Sequence, residues 1–192
     1  MRNFLLIFNL VLLAQLACKD NEKSIYENCC GTSAVTDELP VIARLWNDNG
    51  VMVDSLVTAK VFIPNVVVPG ENGTGNEVFQ VCGRYVKEIV SMKCTSETGE
   101  VICEENAFPP CDISFSFDGR KPDGSLYFGR FDYRIEVMFL NDSTKVYNGS
   151  ACSYQCNTNG FPDKNLPNCI FFGQNDGDGG YDPSFPAPAN CF

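Results

Sequence analysis

A succession of short apolar runs separated by turn signals constrains the fold more than any other feature of this sequence. The runs are rich in Val, Ile, Phe and Tyr and occupy residues 41–46, 51–57, 60–63, 77–82, 86–93, 101–104, 113–117, 133–140 and 145–147. Turn signals stand between them at 47–50, 69–70, 118–119, 122–124 and 148–149. Ile113, Phe115 and Phe117 alternate with polar residues, as in an antiparallel strand with one face on a core. Seven to nine such strands and no segment with a helical period predict an all-β, two-sheet sandwich.

The N-terminus has the pattern of an export signal. Arg2 precedes a mostly apolar stretch, residues 4–14, which is too short to span a bilayer. The stretch leads into Gln15-Leu16-Ala17-Cys18, which resembles the lipobox of bacterial lipoproteins except at Gln15, where an aliphatic residue is usual. We therefore predict a signal peptide over residues 1–17 and a lipid anchor on Cys18, with simple secretion as the alternative.

The cysteine count supports the same interpretation. Eleven is an odd total for an exported protein, and a lipid on Cys18 leaves an even number that can pair completely. Because the chain has no Cys-x-x-Cys and no histidine, the spacing suits a disulfide framework better than a zinc site. The sequence leaves the pairing open for Cys29, Cys30, Cys82, Cys111, Cys152, Cys156, Cys169 and Cys191.

One disulfide can be predicted from hairpin geometry. A two-residue turn at Thr98-Gly99 places Cys94 directly opposite Cys103, at a Cα separation of about 4.5 Å that a disulfide can bridge. The same register sets Glu97 against Glu100, which is unfavourable, so a longer loop remains an alternative.

Charge and composition exclude several classes of function. The chain carries 14 basic and 24 acidic residues, a formal net charge of −10, which opposes binding to a phosphate backbone. The absence of histidine removes the commonest general base and the usual activator of Ser and Cys nucleophiles. We predict a protein that binds neither nucleic acid nor a cofactor and is not an enzyme.

Several short patterns resemble functional sites, but an ordinary structural explanation accounts for most of them better. Asp176, Asp178 and Asp182 lie among glycines, as calcium ligands do, but their spacing does not fit an EF-hand and favours a solvated turn. Ser55 and Ser143 stand in Asp-Ser patterns that resemble O-glycosylation sites of gliding bacteria. The aromatic residues Tyr127, Phe128, Phe131 and Tyr133 could form a ligand platform, but strand spacing favours a place in the core for alternate members.

The middle of the chain carries four motifs in an order known from one bacterial domain family. They are Ile63-Pro64-Asn65 with the following loop to Phe79, then Gly99-Glu100-Val101-Ile102, Phe117-Asp118-Gly119, and the segment from Gly124 to Val137. This order resembles the gliding-motility-associated C-terminal domain, the type B sorting module of type IX secretion. The resemblance implies an immunoglobulin-like sandwich and a role at the cell surface.

The sequence departs from that family in four places, one of which is the cysteine-rich tail that replaces the family's C-terminal end. The module occupies nearly the whole chain, behind its own export signal. The loop Glu71-Asn72-Gly73-Thr74-Gly75-Asn76 has lost most of the family's acidic residues, and Phe117 replaces a tryptophan. These departures favour a borrowed scaffold over a sorting signal.

Together these observations predict four segments: a signal peptide at 1–17, a lipidated polar tether at 18–36, an immunoglobulin-like sandwich at 37–160, and a Cys/Gly/Pro-rich tail packed on it at 161–192. The predicted function is a non-enzymatic surface lipoprotein of the outer membrane that acts as a structural or protein-interaction module. One alternative is a glycan-binding lipoprotein, which requires an exposed aromatic strip such as Trp46 with tyrosines on one sheet face. The other is a eukaryotic secreted cysteine-rich domain.

Overall fold

The protein folds as two packed β-sheets. The computed structural model describes Cys29, residues 34–70 and 77–154, and the backbone of two short strands near the C-terminus. The strands are β1 (Val35–Trp46), β2 (Met52–Ile63), β3 (Val66–Val67), β4 (Cys82–Arg84), β5 (Val86–Ser96), β6 (Val101–Phe108), β7 (Gly129–Phe139), β8 (Thr144–Ser153), β9 (Gln174–Asn175) and β10 (Tyr181–Asp182).

The strands confirm the predicted antiparallel sandwich. One sheet has the order β1-β2-β4 and the other β3-β8-β7-β5-β6, with β9 and β10 paired to each other. Within the larger sheet, β8-β7-β5-β6 follows the G-F-C-C′ order of variable-type immunoglobulin domains. Only β3 and β8 pair in parallel among the named strands.

Period-two alternation builds the core. On β7, Phe131, Tyr133 and Ile135 are buried while the residues between them are not. Phe79 packs against this row, with ring centroids 5.3 Å from Phe131 and 5.4 Å from Tyr133. Phe131 and Tyr133 therefore belong to the core, as their strand spacing predicted, and not to a ligand platform.

Four loops of the sandwich share one backbone design. In each, a residue donates its backbone N–H to the carbonyl four residues on, and the residue before that acceptor has a positive φ. The positive-φ residues are Gly50 (70°), Gly99 (83°), Gly124 (83°) and Asp142 (64°). This is the three-residue hairpin loop in which a type I turn is followed by a left-handed residue, and it explains why Gly or Asp stands at that place.

The β5–β6 hairpin has the longer loop that the sequence left as an alternative. Ser96 pairs with Glu100 around three loop residues, so Glu97 does not face Glu100. This loop shifts the register by one residue, and a bulge between Thr95↔Val101 and Cys94↔Cys103 shifts it back. Cys94 therefore lies opposite Cys103, as predicted, although the predicted turn was wrong.

Several predicted boundaries were wrong. Residues 113–115 form a 3₁₀ turn, because the Asp112 carboxylate accepts the backbone N–H of Ser114 and caps it, and Ile113 is exposed. Asn148-Gly149 is not a turn but lies inside β8. β1 begins at Val35, inside the predicted tether, and one continuous β2 replaces two predicted runs.

Cross-links tie the sandwich together. Disulfides join Cys29 to Cys152 and Cys82 to Cys111, with Cα separations of 5.7 and 4.4 Å. Across the sheets, Asp37 on β1 accepts hydrogen bonds from Lys145 Nζ at 2.6 Å and Tyr147 Oη at 2.7 Å, both on β8. The Cys29–Cys152 disulfide attaches Cys29 to β8.

Candidate functional site

The outer face of the β1–β2 hairpin exposes more large apolar side chains than a core-forming strand pair needs. We define the outer hairpin face by three cross-strand pairs: Ile42 with Leu56, Arg44 with Asp54, and Trp46 with Met52. Leu56 is 75% exposed, Trp46 72% and Ile42 60%. Two exposed apolar pairs therefore flank one pair of opposite charges on this face. Exposed apolar surface that gathers on one face marks interaction sites in soluble domains.

Local sequence explains why these side chains point outward. The opposite face of the hairpin carries Val41 and Ala43, which are buried against the core. Because side chains alternate along a strand, Ile42, Arg44 and Trp46 must then face solvent. Apolar residues thus stand on both faces of the strand over residues 41–46. Only one of these faces can pack inside the sandwich.

The alternation of hydrogen-bonded and non-hydrogen-bonded pairs along the hairpin brings the outward side chains close together. Asn47 donates its backbone N–H to the Val51 carbonyl at 2.9 Å, which makes these residues a hydrogen-bonded pair at the loop. Pairs alternate from there, so the outward pairs are all of the non-hydrogen-bonded class, in which opposite Cα atoms are only about 4.5 Å apart. Ile42 and Leu56 therefore form one compact apolar patch.

The same phase leaves an open backbone edge on β1. The N–H and C=O groups of Ile42, Arg44 and Trp46 point away from β2, and β1 is the outer strand of its sheet in the described part of the chain. The backbone nitrogen of Pro40 also points away from β2. Its missing N–H therefore falls on this open edge, where proline is tolerated. β4 pairs with β2 only from Lys60 to Phe62, so the part of β2 nearer the β1–β2 loop pairs only with β1.

The charges on this face balance one another. Arg44 lies opposite Asp54, and Lys60 Nζ lies 3.3 Å from Glu38 Oε1 at the base of the same face. The outer hairpin face is therefore neutral and mainly aliphatic, on a chain with a net charge of −10.

The second candidate site is the pair Cys94 and Cys103, for which the sequence predicts a disulfide that the structure does not contain. Cys94 and Cys103 carry free thiols, are 0% and 9% exposed, and are in hydrogen-bond contact with each other. That hydrogen bond, together with burial, raises the pKa of Cys94 well above its ordinary value. Tyr133 lies opposite Cys94 on β7, and burial and the neighbouring Cys94 raise its pKa to about 12.

The two glycosylation candidates differ in accessibility. Ser143 is exposed in the β7–β8 loop, where its hydroxyl donates to Asn141 Oδ1 at 2.7 Å. Ser55 lies on the inward phase of β2 opposite Ala43 and is only partly exposed. Only Ser143 therefore stands on a freely accessible loop.

Other predicted residues lie outside the described part of the chain. These are residues 1–17, Cys18, Cys30, Cys156, Cys169, Cys191, Asp176 and Asp178, while Asp182 is described only as backbone in β10. Within the described ranges, no three His, Cys, Asp or Glu side chains are grouped to hold a metal ion. Nor does any helix in those ranges have the length and apolarity needed to cross a membrane.

No protein-family model, curated protein or solved structure matches this chain.

Sequence reasoning found Trp46 but missed the patch around it. Ile42 and Leu56 lie in runs that the sequence predicts as strands, without indicating which of their side chains face solvent. The available signal was that residues 41–46 are apolar in both phases, which a strand covered on only one side cannot bury.

Proposed function

We propose that this protein is a non-enzymatic interaction module of the bacterial cell envelope that binds another envelope protein through the outer hairpin face. The exposure of Ile42, Trp46 and Leu56 on one neutral sheet face carries this proposal. An uncovered aliphatic face costs solvation free energy, about 25 cal/mol per Å² of apolar surface, that a partner would recover.

The chemistry of the face favours a protein partner over a glycan. Glycan platforms need coplanar aromatic rings, whereas this face has one ring, Trp46, among aliphatic side chains, and neither β1 nor β2 contains tyrosine. Tyr133 and Tyr147 are buried in the sandwich. The partner surface should accordingly be aliphatic and uncharged.

Charge also argues against a second copy as the partner. Two chains of net charge −10 repel each other at long range, and the neutral outer hairpin face offers no compensating attraction. A different protein, whose own surface need not be acidic, meets no such opposition.

The cellular location in this proposal rests on the sequence. The N-terminal pattern supports a lipid on Cys18 and anchoring in the outer membrane, at the cell surface. The two disulfides suit the oxidising environment outside the cytoplasm. The order of motifs from Ile63 to Val137 supports a link with gliding motility or type IX secretion.

Affinity capture from solubilised native envelopes tests the proposal. The bait proteins are the wild type, an Ile42→Lys/Leu56→Lys variant, and a Val146→Lys control that adds a lysine at an exposed aliphatic site on β8. We expect the wild type and the control to recover the same protein and the double variant to lose it. Recovery of a polysaccharide, of a second copy of the chain, or of the same protein by all three baits would contradict the proposal.

A further inference from the structure

The free thiols of Cys94 and Cys103 have the placement of an exchange site and not merely of two core residues. They are register partners on β5 and β6, and directly opposed residues of adjacent strands have Cα atoms about 4.5–5.5 Å apart, within disulfide range. A disulfide could therefore form between them without separating the strands.

The two cysteines, which lie beside the bulge, differ in their access to solvent. Ile102 and Cys103 together oppose Cys94, and both are buried. Cys103 nevertheless lines an open pocket of about 330 Å³, whereas Cys94 does not line it and is fully buried. Cys103 is therefore the more accessible of the two residues from this pocket.

Most of the other residues that line the pocket are polar or charged, beside the apolar Ile102, Phe117 and Pro122. Arg120 and Lys121 line it with Glu104, Glu105 and Asp118, so cationic and anionic groups are nearly balanced. Lys121 Nζ lies 2.7 Å from Glu100 Oε2, and Arg120 Nε lies 3.7 Å from Asp118 Oδ2. Such a lining suits a small uncharged or zwitterionic molecule better than a strongly charged one.

We propose that Cys103 and Cys94 form a thiol–disulfide exchange site that takes a low-molecular-weight disulfide through this pocket. Cys103 is the attacking residue and Cys94 the resolving residue. The site is independent of the outer hairpin face, which lies on β1 and β2.

The exchange cleaves the small disulfide and forms one disulfide in the protein. Cys103 loses its proton to solvent, and its thiolate attacks one sulfur of the small disulfide, which forms a mixed disulfide and releases one thiolate that takes up a proton. Cys94 then loses its proton and attacks Cys103 Sγ. The new Cys94–Cys103 bond displaces the second small thiol, so two electrons pass from the protein pair to the external disulfide.

Single-cysteine variants test the order of attack. Anaerobic protein with this pair reduced and the other disulfides intact is mixed with 2-hydroxyethyl disulfide, and the products are read by intact mass and peptide mapping. The wild type should yield the Cys94–Cys103 disulfide. Cys94→Ser should accumulate a mixed disulfide on Cys103, and Cys103→Ser should leave Cys94 unmodified on the same timescale.

Pocket variants test the route without removing a thiol. Ser116 lines the pocket, and Ser116→Phe should slow oxidation of the wild-type pair by about tenfold or more. The control is Ser114→Phe, since Ser114 is exposed in the 3₁₀ turn that ends just before Ser116 and does not line the pocket. Equal rates in these two variants, modification of Cys94 before Cys103, or oxidation no faster than global unfolding would overturn the proposal.

Discussion

The ring of Tyr133 lies directly over Gly149, its register partner on β8. A Cβ atom at position 149 would stand 2.6 Å from Tyr133 Cζ, well inside van der Waals contact. Gly149 carries no positive φ, so this glycine is required by the buried ring and not by the backbone conformation.

Gly149→Ala should therefore destabilise the domain. Because Tyr133 is buried and cannot swing into solvent, we expect a loss of about 1–3 kcal/mol in the free energy of unfolding, measured by urea denaturation. Ser150→Ala, one residue along on the other face of β8, is the control and should change stability little. An unchanged urea midpoint for Gly149→Ala would show that the ring can move.

Removing the Tyr133 hydroxyl, unlike Gly149→Ala, should not lower the free energy of unfolding. Its Oη is buried and has no hydrogen-bond partner among the described residues. Since an unpartnered buried hydroxyl is a net cost, Tyr133→Phe should leave stability unchanged or raise it by about 1 kcal/mol. A clear fall in the midpoint temperature of thermal unfolding would reveal a partner for the hydroxyl. Tyr147→Phe, which removes a hydroxyl bound to Asp37, should instead be destabilising.

The Asp37 contacts predict acid sensitivity. Burial alone would raise the pKa of Asp37, but the hydrogen bonds from Lys145 and Tyr147 and the charge of Lys145 outweigh it and hold the pKa below its ordinary value of 3.8. A depressed carboxyl pKa stabilises the fold above its unfolded-state value, and this contribution is lost as the pH falls through the lower folded-state value.

Asp37→Asn should lose that contribution, about 1–2 kcal/mol at neutral pH given the partial exposure of both partners. The measurement is the urea midpoint of wild type and variant across the acid range. The two should converge at low pH. A constant difference down to the most acid point would mean that the carboxylate charge is not the stabilising element.

The two disulfides of the sandwich should differ in their contribution. Cys29 and Cys152 are 123 residues apart and Cys82 and Cys111 are 29 apart, so loop-closure entropy predicts contributions of about 4.9 and 3.6 kcal/mol. Replacing each pair with alanines and comparing unfolding midpoints tests the order. A greater loss from the shorter loop would show that native-state contacts, and not chain entropy, decide their effect.

The sequence predicted the sandwich because alternation and turn residues are local signals. It placed Cys94 opposite Cys103 for an incomplete reason, since a one-residue error at the loop was cancelled by a bulge that no local pattern marks. It misassigned residues 113–115 because the side-chain cap from Asp112 competes with strand pairing. Gly149 looked like a turn residue, but its role depends on Tyr133, and that is tertiary information.

The outer hairpin face shows the same limit. The two-sided apolar pattern of residues 41–46 is visible in the sequence, but which phase faces solvent depends on where the second sheet lies. Local patterns can therefore indicate that a strand has an exposed apolar face. They do not indicate which residues form that face.

Site-specific photo-crosslinking in living cells can detect a partner bound to the outer hairpin face. A photoreactive phenylalanine analogue replaces Leu56 on the outer hairpin face or, as a control, Val146 on β8, where each native side chain is exposed. We predict one discrete adduct with another envelope protein from position 56, its loss when Ile42→Lys is added, and none from position 146. An adduct that persists when Ile42→Lys is added, or no adduct from position 56 while the protein is folded at its native location, would show that the outer hairpin face is not the binding surface.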